Sequence, residues 1–185
     1  MPAIISMLRG VNVGGHNKIK MQALCALYES LKLKSPKAYV QSGNVVFLSS
    51  ESNLAALCQR IHDGIERNFG FRPGVVLRTA LEMRHVIARN PFAGRHRIEP
   101  AKLLVAFLAS DPGKVGRANV MKIDTRGEEL HAHGSELYIH FPNGIGKSKI
   151  PWTTIDRALN TPSTGRNWNT VTKLLELAES LEKSA

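Results

Sequence analysis

The order of apolar and polar positions in the first 80 residues predicts one complete unit of strands and helices. Residues 4–8 form a short apolar run typical of a strand, and apolar positions at helical spacing follow at 21–31 and 54–65. Between these helices, two β-rich runs flank Ser42-Gly43-Asn44, which is a hairpin signal. Ser52 is the predicted cap of the second helix and Gly70 its stop. With a strand at 74–79, the order is β-α-β-β-α-β, the ferredoxin-like unit.

The same pattern restarts after a helix at about 80–89 and a linker rich in turn-forming residues. Residues 102–108 form a nearly continuous apolar strand, a weak helical stretch covers about 112–122, and two further strands flank Gly134-Ser135. A final helix carries apolar residues at 171, 174, 175, 178 and 181. We therefore expect an α+β fold of two tandem ferredoxin-like halves with mostly antiparallel sheets, residues 1–89 and 90–185, in one compact unit.

Side-chain alternation along the two hairpins predicts which residues face the core. In the second hairpin these are Leu130, Ala132, Leu137, Ile139 and Phe141, and in the first they are Ala38, Val40, Val45 and Phe47. The opposite face of the second hairpin carries His131, His133, Glu136, Tyr138 and His140. Side chains two residues apart on a strand are about 7 Å apart, which is long for two ligands of one metal ion, so no metal site is predicted.

Charge is the main feature of the composition. The 185 residues carry a net charge of +10, and 43% of them are hydrophobic, as in an ordinary globular protein. Residues 1–40 hold six lysines and arginines against one glutamate, and residues 84–102 and 142–173 each hold five against one acidic residue. If these stretches converge, they form one surface that attracts anions; otherwise they are solvated faces of a basic protein.

Other sequence features narrow the class of protein. No apolar run is long enough to span a membrane and no basic leader precedes the first strand, so we expect a cytoplasmic protein. Cys25 and Cys58 lie on the apolar stripes of helices and are predicted to be buried free thiols. No cofactor motif is present, and no cofactor is predicted.

Two glycine-rich loops fail the tests for nucleotide-binding motifs. A phosphate-binding loop ending in Gly146-Lys147-Ser148 requires glycine at position 141, which is phenylalanine. The glycines at 10, 14 and 15 do not match the dinucleotide-binding spacing either. The stretch "NGIGKSK" is still suited to a small nest of backbone amides that holds an anion beside Lys147 and Lys149.

Five motifs spread over almost the whole chain resemble a known bacterial family. "LRGVNVGGHNKIKM", "YVQSGNVVF", "NPF", "LYIHFPNGIGKSK" and "TPSTGRNWNTVTKLLEL" together resemble the family catalogued as domain of unknown function 1697. The resemblance implies a two-repeat ferredoxin-like fold in a cytoplasmic bacterial protein, and it implies no activity. His16 stands where a lysine or arginine is usual in the family. The family's signature positions fall on Arg9, Gly10, Asn12, Gly14, Gly15, Lys18, Ser42, Gly43, Asn44, Arg166, Asn167, Trp168 and Thr170.

These observations favour an anion-binding protein whose ligand is a nucleic acid or a phosphate-bearing metabolite. The predicted anion site comprises Arg9, Asn12, Gly14, Gly15, Lys18, Lys147, Lys149, Arg166 and Asn167, with Ser42 and Asn44 as further polar candidates. Asn167 or Asn169 has a simpler alternative role as the cap of the last helix. Two other functions stay open. One is an enzyme with a site between the halves, with Ser42, His16 and His133 as candidates. The other is an interaction scaffold that uses the face of Tyr39, Val46 and Leu48, if that face is exposed.

Overall fold

Within residues 1–96 and 98–185, which the computed structural model describes, the chain forms eight β-strands and six α-helices. The elements of the first part are β1 (Ala3–Arg9), α1 (Met21–Ser30), β2 (Lys34–Tyr39), β3 (Asn44–Leu48), α2 (Leu54–Phe69), β4 (Gly74–Thr79) and α3 (Ala80–Ala88). Those of the second part are β5 (Leu103–Leu108), α4 (Gly113–Val120), β6 (Glu129–His133), β7 (Glu136–His140), α5 (Trp152–Leu159), β8 (Ser163–Asn167) and α6 (Trp168–Lys183). None of the helices in these ranges has the length and apolarity needed to cross a bilayer.

The strands form two four-stranded antiparallel sheets, one in each of two compact units. The strand orders are β2-β3-β1-β4 and β6-β7-β5-β8. The first unit comprises Met1–Arg84 together with Lys173–Ala185, and the second comprises His85–Thr172. The mixed α and β composition and the antiparallel sheets are as expected from the sequence, whereas the division into 1–89 and 90–185 stays a prediction.

In the first unit, α1 and α2 contribute to one core with the sheet. Ile4, Leu8, Val45 and Phe47 are buried in this core. Tyr28 of α1 is also buried and shares a 2.8 Å hydrogen bond with the Ser6 hydroxyl. The predicted core positions on β3 are therefore confirmed, and the buried tyrosine hydroxyl is satisfied, as a buried polar group requires.

Three local predictions in this unit need correction. Val40 is 51% exposed instead of buried, because β2 ends at Tyr39 and Val40 enters the turn with φ +51°. The cap of α2 is Asn53 instead of Ser52: its side chain accepts from the Ala56 amide at 3.0 Å. Cys25 and Cys58 are free thiols, but they are only partly buried. The predicted stop at Gly70 is correct, since that residue caps α2 in a left-handed conformation.

The end of α6 belongs to the first unit through ionic contacts. Arg84 Nε donates to Glu179 at 2.6 Å and its guanidinium pairs with Glu182 at 3.7 Å. Glu182 also accepts from the Ala3 amide at 2.9 Å, so the helix end is tied to the start of β1. These contacts hold the end of α6 against β1 and α3, with one arginine shared between two glutamates.

In the second unit, the register of the β6–β7 hairpin follows the predicted alternation. Leu130 pairs with Ile139 and Ala132 with Leu137 on the core side, while Glu129 pairs with His140 on the other. The core also includes α5, a helix that was not predicted from the sequence. The strand β8, which was not predicted either, pairs with β5. The hairpin matters for function because the segments before β6 and after β7 leave it at the same end.

Candidate functional site

The glycine-rich loop after β1 is held by asparagine side chains. Asn12 Nδ2 donates to the carbonyls of Ile19, at 3.0 Å, and Gln41, at 2.8 Å, while its Oδ1 accepts from the Ile19 amide at 2.9 Å. Asn17 Nδ2 donates to the Gly10 carbonyl at 3.0 Å. The Asn12 amide group is therefore engaged within the protein, and it positions the loop instead of facing a ligand.

The remaining polar candidates of the first unit divide into turn-closing and exposed residues. Asn44 is fully buried, and its Nδ2 donates to the Tyr39 carbonyl and the Ser42 hydroxyl, which closes the β2–β3 turn. Lys18 is exposed, as are Gly14 and Gly15 at the tip of the first loop, while Arg9 is half-buried at the end of β1. Of the candidates in this unit, Lys18 is thus the cation most open to an anion.

Arg166 and Asn167 form the junction between β8 and α6. Arg166 is only 8% exposed and donates at 2.8 Å to the Thr164 hydroxyl and to the Gly165 carbonyl. Burial lowers its pKa to about 10, so it stays charged at neutral pH. Asn167 Oδ1 accepts from the Thr170 amide at 2.9 Å, which makes it the helix cap that the sequence offered as an alternative.

A basic concave pocket lies at one end of the β6–β7 hairpin. One wall is the segment before β6, residues 125–128, and the other is the segment after β7, with Pro142, Asn143, Lys147 and Lys149. The volume is about 220 Å³. We call this site the basic pocket. The sequence had marked Lys147 and Lys149 as anion ligands, and the structure brings these two together.

Three cations line the basic pocket: Arg126, Lys147 and Lys149, all of them exposed. Within the described residues, none of the three forms an ion pair with a carboxylate. Among the described residues of the lining Glu128 is the one acidic residue, so their formal charge is +2. Uncompensated charges of one sign around a concavity raise the local concentration of anions.

The two walls owe their shape to local hydrogen bonds. On one side the Asp124 carboxylate accepts from the Arg126 amide at 3.0 Å, and Arg126 adopts φ +54°. On the other side the amides of Gly144, Lys147 and Ser148 donate to carbonyls of the loop itself. The predicted nest of anion-binding amides is therefore wrong for these three groups, and the site depends on side chains.

An ionic network closes the same end of the hairpin. Both terminal nitrogens of Arg95 donate to the Glu129 carboxylate, at 2.8 and 3.1 Å, and His140 Nδ1 lies 3.0 Å from Glu129 Oε1. The Arg95 guanidinium also stacks 5.3 Å from the Phe92 ring. Arg95, and secondarily His140, lower the pKa of Glu129 to about 2. The network fixes the strand pair from which both walls of the basic pocket extend.

Within the described residues, no three His, Cys, Asp or Glu side chains group closely enough to hold a metal ion. Sequence reasoning missed Arg126, because residues 103–141 have balanced charges and only the hairpin brings position 126 beside the later lysines. The available signal was the run Thr125-Arg126-Gly127, a turn placed opposite a glycine loop across a predicted hairpin.

Comparison with known proteins places the chain in a family but not in a functional class. No curated protein matches it. A conserved bacterial protein from Streptococcus pneumoniae has a similar structure, with a TM-score of 0.73 and 22% identity over 96% of this chain and 98% of that one. Likeness at this identity establishes a shared fold alone. The sequence model of the family described as "Protein of unknown function (DUF1697)" matches residues 1–138, which include Arg126 but not the two pocket lysines. The chain therefore belongs to the DUF1697 family.

Proposed function

We propose that this protein binds a small phosphate-bearing metabolite in the basic pocket. The observation that carries the proposal is the grouping of Arg126, Lys147 and Lys149 around one concavity without carboxylate partners. Such a group attracts a dianion more strongly than scattered surface lysines do. A charge pair at 4 Å contributes about 1 kcal/mol in water and about 4 kcal/mol where the surroundings are less polar.

The size of the pocket favours a small ligand over a nucleic acid. Its volume of about 220 Å³ is below the roughly 300–1,000 Å³ of drug-sized sites, and it suits one phosphate with a few attached atoms. Single-stranded nucleic acids usually bind along a charged groove with aromatic side chains on which bases stack. The lining residues that the structure describes include no aromatic side chain. Nucleic-acid binding is therefore kept as an outcome of the test.

The same proposal includes finer points of fold and location. The β-α-β-β-α-β order in each unit, with antiparallel sheets, supports two ferredoxin-like repeats related by duplication. We propose a cytoplasmic protein on the strength of the sequence expectation. The wider anion surface, which adds Arg9, Lys18 and Arg166 to the pocket lysines, stays a prediction. Val46 and Leu48 are buried, so the scaffold alternative lacks the exposed apolar face on which it depended.

The test is a calorimetric titration with glycerol 3-phosphate, a small phosphate monoester used as a probe. Lys147→Ala, Lys149→Ala and Arg126→Ala should each weaken binding about fivefold or more, which corresponds to about 1 kcal/mol per lost charge. Lys114→Ala is the matched control, since it removes an exposed lysine of α4 outside the pocket. It should change affinity less than twofold. Equal losses in the control and the pocket variants would refute a localised site.

A parallel titration with a fluorescent single-stranded oligonucleotide distinguishes the nucleic-acid reading. If a nucleic acid occupies the pocket, its affinity should fall as the salt concentration rises. A single strand loses about 0.7 log units of affinity per log unit of salt for each phosphate neutralised, so three cations give a slope of roughly 2. Oligonucleotide binding tighter than that of the monoester, lost in the same three variants, would replace the metabolite with a nucleic acid.

A further inference from the structure

The lining of the basic pocket contains an acidic group that its cations do not neutralise. Glu128 belongs to the wall, and its Oε2 atom is buried without a hydrogen-bond partner among the described residues. No ion pair links it to Arg126, Lys147 or Lys149. Its main chain is fixed in the wall, because the Thr125 hydroxyl donates to the Glu128 carbonyl. The pocket lining thus combines a carboxylate oxygen that has no hydrogen-bond donor with three cations that have no carboxylate partner.

Buried carboxylate oxygens are almost always hydrogen-bonded, because leaving one unsatisfied destabilises the folded state. The residue as a whole is only half-buried, and a glutamate side chain rotates about three bonds. Because Glu128 lines the pocket, its carboxylate is within reach of a donor group on a ligand bound there. The wall therefore offers two kinds of contact: cations for an anionic group, and a carboxylate for an O–H or N–H group.

We infer that the ligand of the basic pocket is a phosphate monoester with a hydroxyl group close to the phosphate, such as a small sugar or polyol phosphate. This inference rests on the proposed function. The phosphate contacts the three cations, and the neighbouring hydroxyl donates to Glu128 Oε2. The phosphodiester linkage of DNA and the sulfate ion have no such donor. A bare metal cation would satisfy Glu128 but would be repelled by the three cations.

The experiment compares two dianionic probes, glycerol 3-phosphate and sulfate, on the full chain at pH 8. Wild type should prefer glycerol 3-phosphate by about tenfold, the gain typical of a hydrogen bond to a charged group. Glu128→Ala should abolish that preference. It should leave sulfate binding unchanged or tighter, because a negative charge beside the anion is lost. Glu128→Gln keeps the shape and one acceptor oxygen, so it should retain part of the preference and shows whether the alanine variant is merely misfolded.

The outcomes distinguish a failure of the proposed function from a failure of the inference about Glu128. If the preference persists in Glu128→Ala, or if both probes gain affinity equally, Glu128 acts by charge alone and the inference is wrong, while the proposed function stands. If neither probe binds wild type, the proposed function is wrong, and the inference fails with it. Loss of the preference in Glu128→Ala, with sulfate binding retained, supports both.

Discussion

Replacing Glu129 with glutamine tests the network that closes the pocket end of the β6–β7 hairpin. The substitution keeps the shape of the side chain but removes the charge that both Arg95 nitrogens and His140 contact. The pKa of Glu129 is lowered from 4.5 to about 2, which corresponds to roughly 3 kcal/mol if fully realised. Because the Glu129 side chain is 44% exposed, solvent screens most of this electrostatic interaction. We therefore expect Glu129→Gln to lower the free energy of unfolding by about 1 kcal/mol.

The assay is urea unfolding followed by tryptophan fluorescence at several pH values. A carboxylate with a lowered pKa stabilises the folded state fully above its unfolded pKa, near 4.5, and loses this contribution as pH falls toward 2. The difference between wild type and Glu129→Gln should therefore be largest above pH 5 and should shrink steadily below pH 4.5.

The matched control is Glu176→Gln, which removes an exposed glutamate whose one ion pair within the described residues is with Lys173, one turn away on α6. Such pairs contribute about 0.3–0.5 kcal/mol, so the control should change stability little at any pH. A difference for Glu129→Gln that stays constant between pH 7 and pH 2.5, or that equals the control, would refute the ionic role of the network.

Three further predictions concern stability and reactivity. Gly43→Ala should destabilise the fold by at least about 1 kcal/mol more than Gly70→Ala in urea unfolding: both glycines have positive φ, but only at Gly43 does a Cβ meet a side-chain atom at 2.8 Å. Equal losses would contradict that packing argument. Asn12→Ala should lower the free energy of unfolding by about 1–3 kcal/mol and leave the affinity for glycerol 3-phosphate unchanged. A loss of affinity would show that Asn12 contributes to ligand binding. Burial raises the pKa of the Cys25 and Cys58 thiols, so both should react more slowly with a thiol reagent at pH 7.5 than free cysteine does, whereas rapid labelling of the native protein would contradict this.

The parts of the fold that sequence predicted well are those in which side-chain periodicity and turn residues agree. The alternation in β6 and β7 around Gly134-Ser135 fixed both register and core face, and Gly70 marked the end of α2. The strand β8 was missed because "STGRN" has no apolar residue to alternate, and its pairing with β5 is made by backbone hydrogen bonds. The helix α5 had a usable signal in Trp152, Ile155 and Leu159, whose spacing is helical.

The sequence predicted that the candidate site is positively charged, but it did not predict all of the residues that form the site. Lys147 and Lys149 were marked by the glycine loop that they follow, and both line the basic pocket. Arg126 joins them because β6 and β7 pair. The sequence predicted this hairpin, but the balanced charges around residue 126 did not mark Arg126 as a ligand. Asn12 and Asn44 look functional in the sequence because they are polar residues at loops, yet their amides serve the protein's own backbone. Sequence does not distinguish a loop residue that binds a ligand from one that holds the loop.

The most direct test of ligand binding in the basic pocket is an amide NMR titration of the protein with glycerol 3-phosphate. If the basic pocket is the binding site, saturable shifts should concentrate at residues 125–128 and 142–149 and should disappear in Lys147→Ala. Absence of saturable shifts, or shifts confined to the glycine-rich loop at residues 10–19, would contradict the central claim.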